Sequence, residues 1–545
     1  MKQRIRNLVL ALLALTLVLA GATAAAEDPV VIRLSGVSQY EVDDFVYMNW
    51  LEEKFNVDFQ CNFFTTDAWQ TQFTLMLADD NLPDMLLNVS IPKAEADKYG
   101  ADGYLLDLTT CLDKMPNYAA LLEKDAALAA FSKDQNGAIY GIYKTRDSLC
   151  SREVSMAYMN KNWLANVGME YPTTTEELYQ VLKAFKEQDA NGNGDPNDEI
   201  PLSLTIDAAS GQRGEYTLRS AFGIYGYQNN YQLQVTDDKV WLAETSENWK
   251  EYVKYMHRLY AEGLLDADCF IQTNDEYLAK ITNGKVGYFA NWNTLDRVFG
   301  TEDRRVYLDY RFVTGFTSDL TDEIIYPLWN PVTETAVNVI SASASPEVID
   351  KICEIVDYFY TEQGMIDASI CCDGVDGKLV EGPYGTLTAD GTGYFEDSGR
   401  SYTEWRSAHA LVNNAFMVVQ YSRGQRIVDE ASDEELARLL EEASAAEDLS
   451  HQVLLVDAFK DYYVRQVKTC SDYPQVTYTA EEQAERSVLM MDIKNYIQTM
   501  KAQFIVGEVD VDAGWDAFLT NLKNMQLDRL LEIEQQAYDR YASRM

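Results

Sequence analysis

Between Val30 and Val89 the sequence switches its apolar period four times, and this alternation restricts the fold more than any other feature. Val30–Leu34 is a short apolar run of strand character. Val42, Phe45, Val46 and Trp50 then recur at helical spacing. Val57–Phe64 reads as a second strand, Asp67–Ala78 as a second helix and Met85–Val89 as a third strand. A β-α-β-α-β order predicts a parallel sheet with right-handed crossovers.

The middle of the chain repeats these themes. Thr174 and Glu177 form a capping box ahead of an amphipathic helix. EIPLSLTI follows as a buried strand, and NWKEYVKYMHRLYAEGLL as a helix ended by Gly263. NGKVGYFANW reads as a strand running into an aromatic loop. In SPEVIDKICEIVDYFYTEQG, Ser345 is the N-cap, Pro346 the first helical residue and Gly364 the stop. Val375–Arg400 is rich in Gly and Asp and reads as an irregular excursion. Beyond it the chain is mainly helical. Thr479 and Glu482 open a long helix to about Phe504, and Leu527, Leu530, Leu531, Tyr538 and Tyr541 mark a last one.

Charge excludes one class of partner. Lys and Arg number 45 against 87 Asp and Glu, a formal net charge of −42. Nucleic acid and anionic lipid both require basic patches, so neither is expected. The 35 Tyr and 9 Trp suit a sugar- or peptide-binding surface as well as a core. The N-terminus has a basic stretch at Lys2, Arg4 and Arg6, an apolar run Leu8–Ala20 and small residues at Ala24–Ala26. It reads as a signal peptide over residues 1–26, cut after Ala26. Ala22 stands where a lipoprotein would carry its lipidated Cys, so no thioether anchor is expected there. The 8 Cys include no C-x-x-C pair, and most read as scattered buried thiols.

Catalytic motifs are not found. There is no G-x-S-x-G, Walker loop or H-E-x-x-H, and His257, His409 and His451 lack metal spacing. The strongest local motif is DANGNGDPNDEIP, Asp189–Pro201. Asp189, Asn191, Asn193 and Gly194 match positions 1, 3, 5 and 6 of a D-x-[DN]-x-[DN]-G calcium loop. Asp195 would supply its carbonyl. The bidentate Glu belongs at position 12, where Ile200 stands, and Glu199 comes one place early. The loop joins a helix to a strand, so it reads as a shortened calcium site and not an EF-hand. The competing reading is an Asx-rich turn.

YPQVTYTAEEQAERSVLMMDIKNYIQTMKAQFIVGEVDVDAGWDAFLTNLKNMQLDRLLEIEQQAYDRY resembles the C-terminal signature of family 1 extracellular solute-binding proteins of bacterial ABC importers. NLPDML, YGIYKTRDS, DANGNGDPNDEIPL and NGKVGYFANW fit the same pattern. The similarity is greatest to the large oligosaccharide-type members of Gram-positive bacteria. The resemblance implies an α/β, two-lobed periplasmic-binding-protein-like fold with two doubly wound sheets, hinge-linked, and a helical C-terminal region. Residues 27–147 and 335–374 would form the first lobe, 148–334 and most of 401–545 the second, with 375–400 the excursion.

A monomer exported to the cell surface, handing an oligosaccharide to membrane permease subunits without catalysis, is the implied function. A peptide or another polar solute is the alternative cargo. A secreted carbohydrate-active hydrolase or lyase is the alternative of a different class. Ligands of parallel sheets gather at the carboxyl ends of strands. That rule selects Trp69, Ser90, Tyr143 and Arg146 from the first lobe and Asp207, Asn291 and Trp292 from the second. Trp329 and Trp405 are weaker choices, and core packing competes for every Trp. The calcium loop would lie away from the cleft and stabilise the fold.

Overall fold

The computed structural model describes residues 28–38, 46–146, 156–195, 197–206, 215–225, 231–291, 309–313, 315–328, 332–369, 468–471 and 473–544, with the fragments 378–379, 395–396, 419–420 and residue 434. The leader, Val42, Phe45, His409, His451 and nearly all of the 375–400 excursion lie outside them. The strands in chain order are β1 Val30–Val37, β2 Val57–Phe64, β3 Met85–Leu87, β4 Ile91–Pro92, β5 Ile142–Arg146, β6 Met156–Asn160, β7 Ile200–Ser203, β8 Leu233–Thr236, β9 Lys239–Leu242, β10 Val286–Asn291, β11 Tyr310–Val313, β12 Ile325–Leu328 and β13 Val332–Ile340.

β1, β2 and β3 pair in parallel, and the helices Val46–Phe55 and Thr66–Ala78 cross between them. The β-α-β-α-β alternation therefore folds as read. β13 enters the same sheet antiparallel, between β3 and β5, and also pairs with β4. The order across the sheet is Val419–Gln420, β5, β13, β3, β1, β2. At its carboxyl edge Gly36 faces Leu87, and a Cβ there would sit 1.9 Å from the Leu87 carbonyl oxygen. With φ +147, only glycine lets β1 and β3 approach so closely.

The second sheet runs β11-β6-β10-β7. Only β10 and β7 are parallel; β6 is antiparallel to both neighbours. This sheet is more mixed than the first. β12 pairs in parallel with Lys468–Ser471 beside it.

Two cores result. The first joins Ile32, Leu34, Leu86 and Ile142 to Val339, Ile352 and Phe359. The second joins Met159, Leu182 and Tyr288 to Ile493, Phe504, Phe518 and Leu530 from the C-terminal helices. Each core thus draws on stretches far apart in sequence. Thr174, Thr479 and Ser345 cap their helices, the first two through complete capping boxes. The helix after Ser345 ends at Tyr358, before the Gly364 stop expected from sequence. Gly364 lies inside a second helix, Glu362–Ser369. A Cβ on it would come within 2.0 Å of the Tyr358 carbonyl, so its role is to let the two helices meet at a sharp corner.

Candidate functional site

The carboxyl edge of the first sheet carries unusual backbone. Asn88 and Ser90, between β3 and β4, are both left-handed, with φ +57 and +49. Non-glycine residues hold that conformation only where their surroundings impose it. Here the buried Asn338 of β13 accepts from the Asn88 amide at 3.1 Å, and Asn88 Nδ2 donates to the Val37 carbonyl at 3.1 Å. Ser90 is thereby held on the surface of this edge.

A cavity of about 310 Å³ opens beside it, between the two lobes. One wall is the start of the helix Lys93–Ala101, with Phe131 and Thr335. The other wall is Tyr231, Leu233, Tyr473, Tyr478 and Arg486. Aromatic faces and charged groups therefore oppose each other across a space within the usual range for ligand sites.

The second-lobe wall is fixed from behind by Glu534, which is fully buried on the last helix, Leu527–Ala542. Arg486 Nε donates to Glu534 Oε1 at 2.7 Å, Tyr478 Oη donates to Oε2 at 2.6 Å, and Tyr473 Oη donates to the Glu534 carbonyl at 3.0 Å. The Arg486 guanidinium also lies 4.5 Å from the Tyr478 ring centre. Burial pushes the Tyr478 phenol well above its ordinary range, so it stays a neutral donor. On the opposite wall Lys93, 5% exposed, binds Asp97 at 2.6 Å. Burial pushes the Lys93 ammonium down and the Asp97 carboxyl up, and each opposes the other's shift. The first-lobe wall thus carries a charge pair with little water around it.

Of the sequence-selected residues that are described, none lines this cavity. Trp69 is 5% exposed and stacks on Phe73 at 5.3 Å inside the first core. It fills the core and offers no face to a ligand in this structure. Tyr143 is likewise fully buried, edge-on to Phe131 at 5.1 Å. It backs the cavity wall without lining it. Arg146 ends β5 and pairs in register with Gln420. Asn291 ends β10 fully buried, in register with Met156. Asp207, Trp292, Trp329 and Trp405 lie outside the described residues. Tyr231, Tyr473, Tyr478 and Arg486 were missed, because a rule about carboxyl ends of strands does not reach a wall built from the residues just before β8, the stretch 473–478 and the start of the helix Ala480–Val506. For Tyr473 and Tyr478 the signal was the pair of aromatics in YPQVTY just before the Thr479 capping box; Tyr231 and Arg486 lie outside that stretch.

The Asp189–Glu199 loop joins the helix Thr175–Glu187 to β7. Asp189 Oδ2 accepts from the Gly194 amide at 2.9 Å, Asn191 Oδ1 from Asn193 at 2.8 Å and Asn193 Oδ1 from Asp195 at 2.7 Å. Both Asn side chains donate to Asp198. Asp189 Oδ1 and Glu199 Oε2 are buried with no hydrogen-bond partner. Burial, then the nearby Asp198 and Asp189, push the Glu199 carboxyl above its usual range. Among the described residues no three His, Cys, Asp or Glu side chains cluster as a metal site, so a cation here would also draw on Asn and carbonyl oxygens.

The profile of the family described as bacterial extracellular solute-binding protein matches residues 47–348. The fructooligosaccharide ABC transporter substrate-binding protein FusA of Streptococcus pneumoniae is 24% identical over 93% of this chain and 89% of its own. A solute-binding protein of Bifidobacterium longum infantis, described as associated with an HMO-binding ABC transporter, superposes with a TM-score of 0.74 at 22% identity, covering 94% of this chain and 99% of that one. An EF-hand mutant of FusA in complex with fructo-nystose gives 0.69 at 22% identity, with 94% and 100% covered.

Proposed function

Because the chain belongs to the bacterial extracellular solute-binding proteins, we propose that it captures an oligosaccharide between its lobes and delivers it, untransformed, to the permease subunits of an ABC importer. The observation that carries this reading is the inter-lobe cavity with Tyr231, Tyr473, Tyr478 and Arg486 on one wall. Sugars present apolar C–H faces ringed by hydroxyls, and rings beside planar charged donors answer both. The relatives named for fructooligosaccharide and HMO binding support the same class. Arg146, at the end of β5, and, on sequence grounds, Asp207 and Trp292 are further proposed members of the site. The protein works as a monomer, exported by a leader cleaved after Ala26. Among the described residues no helix is long and apolar enough to cross a membrane.

Calorimetry of the purified chain with a panel of fructo-, galacto- and xylo-oligosaccharides tests the reading. One-to-one binding with no product by chromatography supports it. Turnover of any glycan, or binding of none, sinks it.

We also infer that the Asp189–Glu199 loop holds calcium. Two buried carboxylate oxygens without donors, one of them on the Glu199 carboxyl that burial pushes toward its neutral form, fit a cation site. Asp189, Asn191, Asn193, Asp195 and Glu199 would hold it. The ion would supply fixed positive charge to a loop that starts β7, and so stabilise the second lobe.

A further inference from the structure

Two cysteines far apart in sequence meet in the first core. Cys111 lies on the short helical segment Leu108–Lys114, at a kink with φ −134, and Cys353 lies on the helix Pro346–Tyr358. They are 3% and 0% exposed. Two contacts just beyond Cys111, which bracket Cys353 on its helix, fix the two elements against each other. Lys114 forms an ion pair with Asp350, three residues from each cysteine. Asp357 accepts from the Asn117 and Tyr118 amides at 2.8 and 3.0 Å. Beside these clamps the two thiols lie within hydrogen-bonding reach, and each is the largest influence on the other's ionisation: Cys353 draws the Cys111 thiol down, while Cys111 and burial push that of Cys353 up. The structure holds both as free thiols. Cys61 lies on the edge strand β2 and Cys269 in the second core.

We propose that Cys111 and Cys353 are oxidised to a disulfide that staples the two segments of the first lobe. The oxidant is a small or protein disulfide of the kind found outside the cytoplasm. The Cys111 thiolate attacks one sulfur of that disulfide and releases the other half as a thiol. Cys353 then attacks the Cys111 sulfur of the mixed disulfide, loses its proton and releases the second half. The protein dithiol gives up two electrons and two protons, and the oxidant leaves as two thiols. Burial requires this to happen before the core closes. The bond would tie Val30–Arg146 to Val332–Ser369 across everything the second lobe inserts between them, a long loop of the kind for which cross-linking restricts the unfolded chain most.

The pairing assumes export but is testable apart from it and from any ligand. The full-length chain is unfolded, refolded with a mixture of oxidised and reduced glutathione, alkylated and mapped without reduction. A linked peptide containing Cys111 and Cys353 is expected, with a Tm that falls by about 5–10 °C on reduction. The Cys111→Ala/Cys353→Ala double variant should show no such fall. Recovery of both cysteines alkylated, or of other pairings in their place, overturns the proposal. Sugar calorimetry on the same sample reports on the receptor reading independently.

Discussion

Arg486 and Tyr478 stack against each other at 4.5 Å while both bind the one buried carboxylate of Glu534. The second-lobe wall of the cavity is therefore set by a residue that does not line it. Glu534→Gln keeps the shape but leaves Arg486 without its countercharge. Because Arg486 is partly exposed, the loss should be about 3 kcal/mol, at the low end for a broken buried pair. Denaturant melts measure that, and calorimetry should show weaker oligosaccharide binding in the folded fraction. Full affinity in Glu534→Gln would detach this wall from the ligand site.

Glu215 and Lys501 form a second buried pair, 3.1 Å apart and 2% and 3% exposed, in the second lobe. Burial pushes the Glu215 carboxyl up, but Lys501, Arg219 and the Tyr252 hydroxyl outweigh it and hold the group below its usual range. A depressed carboxyl stabilises the fold above the unfolded pKa, and that stability disappears as pH falls through the folded value. Lys501→Met should cost about 3–5 kcal/mol and reverse the sign, so that stability drops as pH climbs above the ordinary carboxylate value. Adding Glu215→Gln should recover most of the loss. Urea melts between pH 4 and 8 on the three proteins check this.

Chelation should lower the Tm if the Asp189–Glu199 loop binds calcium. At a thousandfold excess over Kd, saturation is worth roughly 4 kcal/mol. The Glu199 carboxyl is raised in the metal-free fold. Such a group takes up a proton on folding, so metal-free stability falls as pH rises through that raised range. Calcium must displace the same proton. The calcium-induced rise in Tm should therefore grow from acid to neutral pH, and Asp189→Ala should abolish it at every pH.

The two tryptophans singled out by sequence should behave oppositely. Trp69→Ala opens a hole beside Phe73 and should destabilise by about 3–5 kcal/mol, with sugar affinity unchanged in the protein that folds. Trp292→Ala should leave the melt in place and weaken binding tenfold or more, as loss of a stacking ring of about 1–3 kcal/mol would. Paired thermal melts and calorimetry separate the cases; an unaltered affinity for Trp292→Ala removes it from the site.

The fold was legible wherever local chemistry decides structure. Capping boxes at Thr174 and Thr479 and the alternation from Val30 to Leu87 depend on near neighbours, so they are written in adjacent residues. The site was less legible because it depends on distant ones. Trp69 and Tyr143 follow the rule that cleft residues sit near strand ends, yet both turn into the core. No local signal says which way a ring at a strand end will face. Arg486 becomes a wall residue only because Glu534, on another helix, holds it.

The place of β13 has a consequence in time. β3 and β5 flank it in the sheet, but 185 residues separate Arg146 from Val332 along the chain. In a chain that is exported N-terminus first, β3 and β5 emerge well ahead of the strand that must pair with both. For that interval Met85, Leu86 and Leu87, all buried in the finished molecule, face an unfilled gap with their hydrogen-bonding groups open on that side. A chain truncated before residue 332 should therefore expose this edge and aggregate or bind a holdase, and one that includes residues 332–340 should cover it.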